Sequence, residues 1–404
     1  MDLLGALGLR KSSFVERKTV TFGDESAVVS NRLASIISVL SIFLLWGVFT
    51  GSKWSPIHAP APFVGTTEFT YTVKNEAGET DTAKVSVAVV PRGTAPPKKP
   101  DAGDTSGLAV EDFRATNVRI SASVRVLSND ANKGKGLTIV AVNDQPIATR
   151  GQLSVDNGVV VLTPGKTLLF KPNLGWQTDP IYLPPPEAVV DRFIEIWGSG
   201  YRNSTLGEHV GYSLFRVIVG FLAGSLVGIP LGFAMGLNSW VRGWFDPIVE
   251  FMRPVPPLAL IPLVIIWAGI GETAKIILLF LAALWIMAIG ARAGVSGVSI
   301  QKVHAAYSLG ASKWQILTRV IFPNALPEIF TAARVAMGVC WGTVVAAELV
   351  AAEKGSGMMI MVASKFQLTD IVIMGIIVIG VIGYSIDILM RRLERWLVPW
   401  KGRS

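Results

Sequence analysis

Long apolar segments follow one another through the second half of the chain, and this feature limits what the chain can fold into. They begin at about His209, and one further apolar run lies at 33–49. Half of the 404 residues are hydrophobic and only 16% are charged, whereas a soluble globular chain carries about a quarter charged residues. Since roughly 20 apolar residues cross a bilayer, the sequence predicts an α-helical membrane protein.

Six membrane spans can be placed on these segments. The first lies at 33–50, and the others lie at about 210–235, 255–269, 273–292, 328–352 and 370–390. Three prolines, Pro254, Pro256 and Pro257, break the third segment near its start. Backbone groups freed by such a break must be satisfied by neighbouring helices or by a water-lined cavity. The third segment is therefore a candidate wall of a pathway.

Basic residues indicate which ends of the spans face the cytoplasm. Arg242, the loop at 302–326 and the tail at 392–404 are basic, whereas the loop at 269–272 has no basic residue. Short cytoplasmic loops are enriched in Lys and Arg. The pattern predicts cytoplasmic tails at 1–32 and 392–404 and an extracytoplasmic segment between the first two spans. The net charge of +8 is accounted for by these flanks, and no nucleic acid partner is predicted.

Residues 57–180 differ in pattern from the rest of the chain. Apolar and polar residues alternate over short stretches separated by Gly, Pro, Asn and Asp, and a Pro-rich link lies at 91–100. Such alternation is typical of antiparallel strands. The strands are predicted at 69–73, 83–89, 118–127, 137–142, 158–162 and 168–171. About 120 residues with strands at this spacing predict one inserted extracytoplasmic β-sandwich.

A single amphipathic helix is predicted at 183–200, on the outer membrane surface. The segment opens with three prolines, which a helix start tolerates. The apolar side chains that share one face are Val190, Phe193, Ile194 and Trp197. Residues 209–391, with five spans, form the remaining helical core.

The composition excludes several kinds of site. Cys340 is the single cysteine, so no internal disulfide can form, and three scattered histidines cannot complete a zinc cluster. The sequence has no phosphate-binding Gly-x-x-x-x-Gly-Lys-Ser/Thr loop and no Gly-x-Ser-x-Gly hydrolase turn. No enzyme site, metal or bound cofactor is therefore predicted for this chain.

The loop at 302–326 carries the most specific local pattern. Ala305 and Ala306 have small side chains that let a partner approach closely, and Gly310 can adopt the left-handed conformation that ends a helix. A first short helix is therefore predicted to end at this glycine.

A second short helix is predicted directly after Gly310. Ser312 and Gln315 can form a capping box, and Pro323 is predicted to end this helix. The loop should therefore form a helix–turn–helix knob that faces the cytoplasm. An ordinary connecting loop is the alternative interpretation.

The knob resembles the cytoplasmic coupling loop of ABC importer permeases. That loop has Glu-Ala-Ala, three further residues, Gly, nine residues and then Ile-x-Leu-Pro. The positions in register are Ala305, Ala306, Gly310 and Pro323. The departures are His304 for Glu, Val320 for Ile and Phe322 for Leu. Two of these keep an apolar side chain, so only a contact made by the Glu is not carried over.

The resemblance covers 183–404 and the first span, and it is nearest to the permeases for taurine, sulfonates, nitrate and bicarbonate. The segments that carry it are 183–186, 246–250, 253–259, 270–275 and 346–352. It implies a type I importer fold in the bacterial inner membrane, in contact with lipid and acting as a homodimer. Taurine is the favoured solute, with alkanesulfonates, nitrate or bicarbonate as alternatives.

The resemblance also implies partners. In that family the coupling loop docks into a groove of an ATP-binding subunit, two of which hold ATP and Mg, and a periplasmic binding protein delivers the solute. The residues carried over to the ATPase contact are Ala305, Ala306, Gly310, Ala311, Ser312, Trp314 and Pro323.

Residues 57–180 have no counterpart in that group of permeases. Segment 69–73 with 81–83 resembles the end of a bacterial cadherin-like or Ig-like adhesin repeat, and 126–130 with 137–140 resembles the start of one. The order is reversed in this chain, which predicts a circularly permuted domain. A membrane-anchored adhesion or sensing protein is therefore an alternative of another class, although a simple anchor needs only one span.

Five residues are candidates for a translocation path. They are Arg216, Arg253, Pro256, Trp341 and Glu348. An ionisable group inside a span, such as Glu348, costs at least about 2.5 kcal/mol and usually faces the bundle interior. Arg216 is its favoured partner, because Arg334 lies about 21 Å away along the same helix. A structural pair and a gating role are both open to Glu348.

Alternatives are also open for Arg216, Arg253 and Trp341. Arg216 either pairs with Glu348, extends its charge to the membrane surface or offers positive charge to an entering anion. Arg253 lies at the Pro-broken segment and either binds Asp246 or Glu250 or faces the path. Trp341 either lines the path or packs as a buried aromatic side chain.

Overall fold

The computed structural model describes residues 32–98 and 107–400, which divide into two compact units between Pro180 and Ile181. The predicted cytoplasmic tail before Arg32, the part of the Pro-rich link after residue 98 and the chain end at 401–404 lie outside the described residues.

Among the described residues of the first unit, an apolar helix is followed by nine strands. Helix α1 (Arg32–Thr50) has no charged side chain after its first residue and is long and apolar enough to cross a membrane. The strands are β1 (Gly65–Lys74), β2 (Thr80–Val90), β3 (Asp112–Asn117), β4 (Ala122–Val124), β5 (Thr138–Val142), β6 (Gln145–Pro146), β7 (Gln152–Val155), β8 (Gly158–Leu162) and β9 (Leu168–Pro172).

The strands form two sheets that share one hydrophobic core. Their order is β3-β2-β1-β5-β6 in one sheet and β4-β9-β8-β7 in the other. Along β1, Phe69, Tyr71 and Val73 are buried while the residues between them are partly exposed, because successive side chains of a strand point to opposite faces. Phe69 packs on Phe170 of the other sheet, with ring centroids 6.2 Å apart.

Strand register decides which loops share an end of this unit. Gly65 at the start of β1 pairs with Val89 near the end of β2. β3 runs parallel to β2, so that Asn117 at its end lies opposite Val90. The start of β1 and the ends of β2 and β3 therefore lie at the same end of the two sheets.

The single strand predicted at 118–127 is wrong. The chain turns at Arg119, which has a φ of +68°, and the Ile120 N–H donates to the Asn117 carbonyl at 3.0 Å. The residues before and after this turn belong to different sheets. The predicted range contains this turn, the short strand β4 and the start of a 3₁₀ turn (Val126–Ser128), while β3 lies before it. An alternating pattern does not record these breaks.

The second unit is built of helices. They are α2 (Pro186–Ser199), α3 (Leu206–Leu237), α4 (Ser239–Met252), α5 (Ile261–Ala268), α6 (Glu272–Ser296), α7 (Ile300–Ser308), α8 (Lys313–Ile316), α9 (Phe322–Ala351), α10 (Ser356–Lys365) and α11 (Thr369–Leu397). The start of α3 is capped by the Thr205 hydroxyl, which accepts a hydrogen bond from the Glu208 N–H at 3.2 Å.

Five helices in the described chain are long and apolar enough to cross a membrane, and there are six if one bent pair counts as a single span. The pair consists of α4 and the segment Pro257–Ala268, which meet at 94°. The span predicted at 255–269 is thus only the second half of this pair, since α4 precedes it. Prolines at the bend remove backbone donors and clash with a preceding helical turn, which explains why the helix does not continue.

Helices α3 and α6 approach closely along a row of glycines. The glycines of α3 that face α6 at every fourth position are Gly220, Gly224, Gly228, Gly232 and Gly236. A Cβ atom at Gly224 would lie 2.7 Å from the Ala283 Cβ, which is closer than real side chains approach. Small residues at this spacing let two helix backbones pack at short distance in a membrane.

We expect Gly224→Ala to lower the Tm of the purified protein in detergent, because the added methyl group must push α6 away. The matched control is Gly211→Ala, also within α3, where a Cβ would meet nothing within 4 Å. The control should keep or raise the Tm, since alanine favours a helix over glycine by about 1 kcal/mol. Equal Tm changes in the two variants would contradict a distance set by the glycines.

Candidate functional site

Helices α7 and α8, with the turn between them, form a knob over 300–316, which overlaps the predicted loop at 302–326. The turn is closed by the Gly310 N–H, which donates to the Tyr307 carbonyl at 2.9 Å, and by the Ala311 N–H, which donates to the Ala306 carbonyl at 3.1 Å. Gly310 has a φ of +78°, so the predicted left-handed conformation is confirmed. Residues other than glycine adopt this conformation at a cost.

The capping box predicted for the second helix of the knob is also confirmed. The Ser312 hydroxyl accepts from the Gln315 N–H at 3.4 Å, and the Gln315 side chain accepts from the Ser312 N–H at 2.8 Å. The prediction that Pro323 ends this helix is wrong. A π-helical segment (Leu317–Ile321) joins α8 to α9, and Pro323 lies in the first turn of α9, a position that tolerates proline.

The knob exposes apolar side chains. Leu309 is 88% exposed and Trp314 is 70% exposed, and Tyr307 is half exposed beside them in sequence. Ala305 is exposed and Ala306 is half-buried. Exposed apolar side chains that lie together mark a surface that contacts another protein or a membrane. Leu309 and Tyr307 were not predicted as site residues, and their only signal was an apolar character in an otherwise polar loop.

A buried ion pair joins two of the candidate path residues. Arg216 of α3 and Glu348 of α9 have side chains that are 1% and 0% exposed, and their nearest nitrogen and oxygen atoms are 2.5 Å apart. Arg334, the partner that was not favoured, lies 3.9 Å from Glu394 instead. Removing both charges from water is costly, so the pair is tolerated only with close geometry and further hydrogen bonds.

Two further charges complete an ion cluster, which consists of Arg216, Glu272, Lys275 and Glu348. Glu272 is the first residue of α6 and accepts hydrogen bonds from Arg216 at 2.6 and 2.7 Å. Lys275 lies 3.0 Å from the same carboxylate. A carboxylate is also favoured at a helix N-terminus. The two cations balance the two carboxylates. Glu272 and Lys275 lie in the segment 270–275, which carries the family resemblance but predicts no ion pair by itself.

Neutral groups hold the Glu348 carboxylate from other directions. The Ser213 hydroxyl donates to one of its oxygens at 2.8 Å, and the Gly357 N–H of α10 donates to the other at 2.9 Å. The buried His209 continues the network, since its Nδ1 accepts from the Gly355 N–H at 3.2 Å. These contacts fix the turn between α9 and α10 against α3.

The ion cluster therefore ties together helices α3, α6, α9 and α10. A guanidinium has five N–H groups, and four hydrogen bonds run from Arg216 to protein acceptors, including one of 2.8 Å to the Lys354 carbonyl. This arrangement positions helices and leaves little of Arg216 for binding an anion.

A second group of charges joins α4 to α6. Arg292 of α6 binds both Asp246 and Glu250 of α4, at 3.0 Å in the case of Glu250. Arg253 lies 3.9 Å from Glu250 and is two-thirds exposed. Two partners were predicted for Arg253. Asp246 pairs with Arg292 instead, and Glu250 pairs with Arg292 at 3.0 Å and with Arg253 at 3.9 Å.

The Pro-broken segment borders a cavity of about 200 Å³. Arg253 and Pro256 line it from this segment, Trp285 lines it from α6 and Val339 from α9. This cavity brings together two of the five path candidates, whereas Arg216 and Glu348 belong to the ion cluster.

Trp341 is a packed aromatic side chain within this chain. It is buried, and its Nε1–H donates to the Ile379 carbonyl of α11 at 3.2 Å. A Cβ atom at Gly383 would lie 3.0 Å from its ring. The packing interpretation is therefore the one that the contacts favour.

The first unit, which we call the β unit, has a buried polar contact of its own. The Tyr71 hydroxyl lies 2.8 Å from the Asp130 carboxylate and 2.9 Å from the Val110 carbonyl, and the Val110 N–H donates to Asp130 at 2.8 Å. Burial raises the pKa of Asp130, and these hydrogen bonds oppose the shift. Within 32–98 and 107–400, no group of three His, Cys, Asp or Glu side chains could hold a metal ion.

Gly355 offers a direct test of the ion cluster. It has a φ of +143°, and a Cβ there would overlap the Glu348 carboxylate. We expect Gly355→Ala to lower the free energy of unfolding in detergent by more than Gly269→Ala. Gly269 also has a positive φ, of +74°, but a Cβ there would meet nothing within 4 Å. Both variants carry backbone strain of about 1–3 kcal/mol, so equal losses would contradict a stabilising cluster.

Comparison with known proteins gives consistent matches. Residues 224–399 match the family described as binding-protein-dependent transport system inner membrane component. The chain is 45% identical over 258 residues to the taurine transport system permease protein TauC of Escherichia coli (strain K12), covering 64% of this chain and 92% of that protein.

Two further relatives share the same kind of description. The putative aliphatic sulfonates transport permease protein SsuC of Escherichia coli (strain K12) is 37% identical over 228 residues, covering 56% of this chain and 85% of that protein. The nitrate import permease protein NrtB of Synechocystis sp. is 32% identical over 222 residues, covering 54% and 81%.

The family match includes the knob, the Pro-broken segment and Glu348 of the ion cluster. The sequence identity to the taurine permease extends over 92% of the length of that protein. The chain therefore belongs to the family of binding-protein-dependent transport system inner membrane components, as a multi-pass permease of an ABC importer in the inner membrane.

Proposed function

We propose that this chain forms the translocation path for a small anionic solute and that the solute is taurine. The observation that carries the proposal is the 45% identity to the taurine permease over 92% of that protein. Alkanesulfonates are the second candidate, favoured by the 37% identity to a sulfonate permease, and nitrate follows with 32%.

We infer that the knob docks on an ATP-binding partner subunit, which holds ATP and Mg and performs the hydrolysis. Leu309 and Trp314 supply apolar surface, and Ala305 lets the partner approach closely. Gly310 and the capping box of Ser312 fix the shape of the knob before any partner binds. This chain then contributes movement and binding but no catalytic chemistry.

The remaining partners follow from the same proposal. Two copies of the chain form a homodimer with the path at the two-fold axis, which presents two knobs to two ATP-binding subunits. A periplasmic substrate-binding protein delivers the solute to the outer face. The exposure of Arg253, a cavity-lining residue, is consistent with a path completed by the second copy.

The cavity beside the Pro-broken segment is the part of the path that we assign to this chain. Within the described part of the chain, the Arg253 guanidinium that borders this cavity has a single ion-pair contact, of 3.9 Å to Glu250. A guanidinium can donate two parallel hydrogen bonds to an oxyanion, which suits a sulfonate. Arg216, by contrast, is engaged by Glu272 and Glu348. We therefore assign Arg253 and Pro256 to the path and the ion cluster to the support of the surrounding helices.

We propose that residues 57–180 form a circularly permuted Ig-like domain outside the membrane. Placing β1 and β2 after β9 turns the neighbours β4-β9-β8 and β2-β1-β5 into the B-E-D and G-F-C orders of an Ig fold. Basic residues in the loops of the helical unit favour the extracytoplasmic side for this domain. The knob argues against a simple adhesion protein, which would need only an anchor.

Substitutions at Gly310 test whether the backbone conformation of the knob matters for coupling, without crowding neighbouring side chains. We expect Gly310→Val to abolish stimulation of the partner ATPase by loaded binding protein, because valine resists a φ of +78°. Gly310→Asn is the matched control and should retain most of the stimulation, since asparagine tolerates the left-handed region. Space is not limiting, because a Cβ at this position meets nothing within 4 Å. Unimpaired stimulation in the valine variant would contradict the coupling role.

The solute is tested by the ATPase activity of the reconstituted permease–ATPase complex with its binding protein. The panel consists of taurine, alkanesulfonates, nitrate and bicarbonate. We expect stimulation by taurine above that by the other solutes. Stimulation by another solute alone would retain the importer and overturn the taurine proposal, whereas no stimulation by any solute would contradict both.

A further inference from the structure

Exposed apolar side chains of the β unit are confined to one end of it. Outside α1, the large exposed apolar side chains among the described residues of this unit are Trp54, Ile57, Val64, Ile120, Leu174 and Trp176. Trp176 is 76% exposed. Exposed apolar patches on a domain mark a surface that contacts a partner or a membrane.

Five of these side chains lie on two segments, 51–64 and 173–178, which we call the collar. The segments are joined by hydrogen bonds from the Phe63 N–H to the Asn173 carbonyl at 3.0 Å and from the Trp176 N–H to the Pro60 carbonyl at 2.8 Å. The chain therefore enters and leaves the two sheets side by side.

The collar is fastened to the last turns of α1. The Thr178 N–H donates to the Phe49 carbonyl at 2.7 Å, and the Ala59 N–H donates to the Val48 carbonyl at 3.0 Å. These bonds come from both segments of the collar. The sheets are thus connected to the first span by a hydrogen-bonded junction as well as by the chain itself.

Ile120 joins the same end through the sheet register. β3 runs parallel to β2, with Asn117 opposite Val90, so the turn after β3 lies next to the start of β1. The guanidinium of Arg119 in that turn donates to the Gln177 carbonyl of the collar. All six exposed apolar side chains therefore lie at the end that carries α1.

The opposite end of the sheets is polar. Lys74 pairs with Thr80 there, and the hairpin between them exposes Glu76. Glu76 and Lys135 line a groove at this end, and both are exposed. The β unit thus exposes its large apolar side chains where it joins the first span and charged side chains where it is farthest from it.

We propose that the collar lies in the headgroup region of the bilayer around α1. The two sheets then rest on the extracytoplasmic surface of the inner membrane and move with the first span as one body. The exposed side chains of α1 then face lipid, and Trp54 lies four residues after the end of α1 at Thr50. Tryptophan is favoured at the membrane interface, and the charged far end is favoured in water. The occupant of the patch is lipid.

Site-specific fluorescence quenching tests this placement. Cysteines are introduced by Trp176→Cys, or by Leu174→Cys as a second collar position, and by Glu76→Cys as the matched control, each in a Cys340→Ala background. The full chain is labelled with an environment-sensitive dye and placed in nanodiscs whose lipids carry a quencher near the headgroup. We expect a loss of roughly half of the emission at 176 and 174 and little loss at 76, since interfacial groups are buried only about 5–10 Å.

Equal quenching at the collar and at residue 76 would overturn the proposal. A second result would also overturn it. If the lipid quencher left the emission at 176 and 174 unchanged while added binding protein shifted it, the patch would be a protein-docking surface.

Discussion

The ion cluster of Arg216, Glu272, Lys275 and Glu348 is the interaction on which the helical unit depends. The buried charges of Arg216, Lys275 and Glu348 are tolerable inside the bundle because counter-charges lie within hydrogen-bond distance, and Glu272 supplies its carboxylate from a half-exposed position. If one of these helices moved away together with its charged side chain, a buried charge on another helix would lose its partner, at a cost of several kcal/mol. The cluster therefore specifies one arrangement of α3, α6, α9 and α10.

Helix α9 connects this cluster to the knob. Its 30 residues extend over about 45 Å, with Glu348 near one end and the π-helical segment next to the knob at the other. The glycine row of α3 packs against α6 between these ends. A displacement of the knob by an ATP-binding partner therefore acts on a helix whose far end is fixed to three others. This is the physical basis that we propose for coupling ATP hydrolysis to solute movement.

The local chemistry of the knob could be predicted from the sequence because it depends on neighbouring residues. Gly310 and the capping box of Ser312 and Gln315 were predicted correctly for this reason. The pairing of Arg216 with Glu348 could be predicted as well, since a buried carboxylate requires a cation. Glu272 could not, because its role depends on where α6 begins in space. The helix before the Pro-broken segment was missed because Arg242, Asp246 and Glu250 interrupt its apolar residues, so that it has no continuous apolar run of the length of a span.

The central claim, that the ion cluster holds the helices together, is tested most directly by a double-mutant cycle on Arg216 and Glu348. The free energy of unfolding in detergent would be measured for Arg216→Met, for Glu348→Gln and for the double variant. If the pair stabilises as a unit, the double variant should lose less than the sum of the single losses, by roughly 2–3 kcal/mol. Additive losses would show that the two side chains act independently and would contradict the claim.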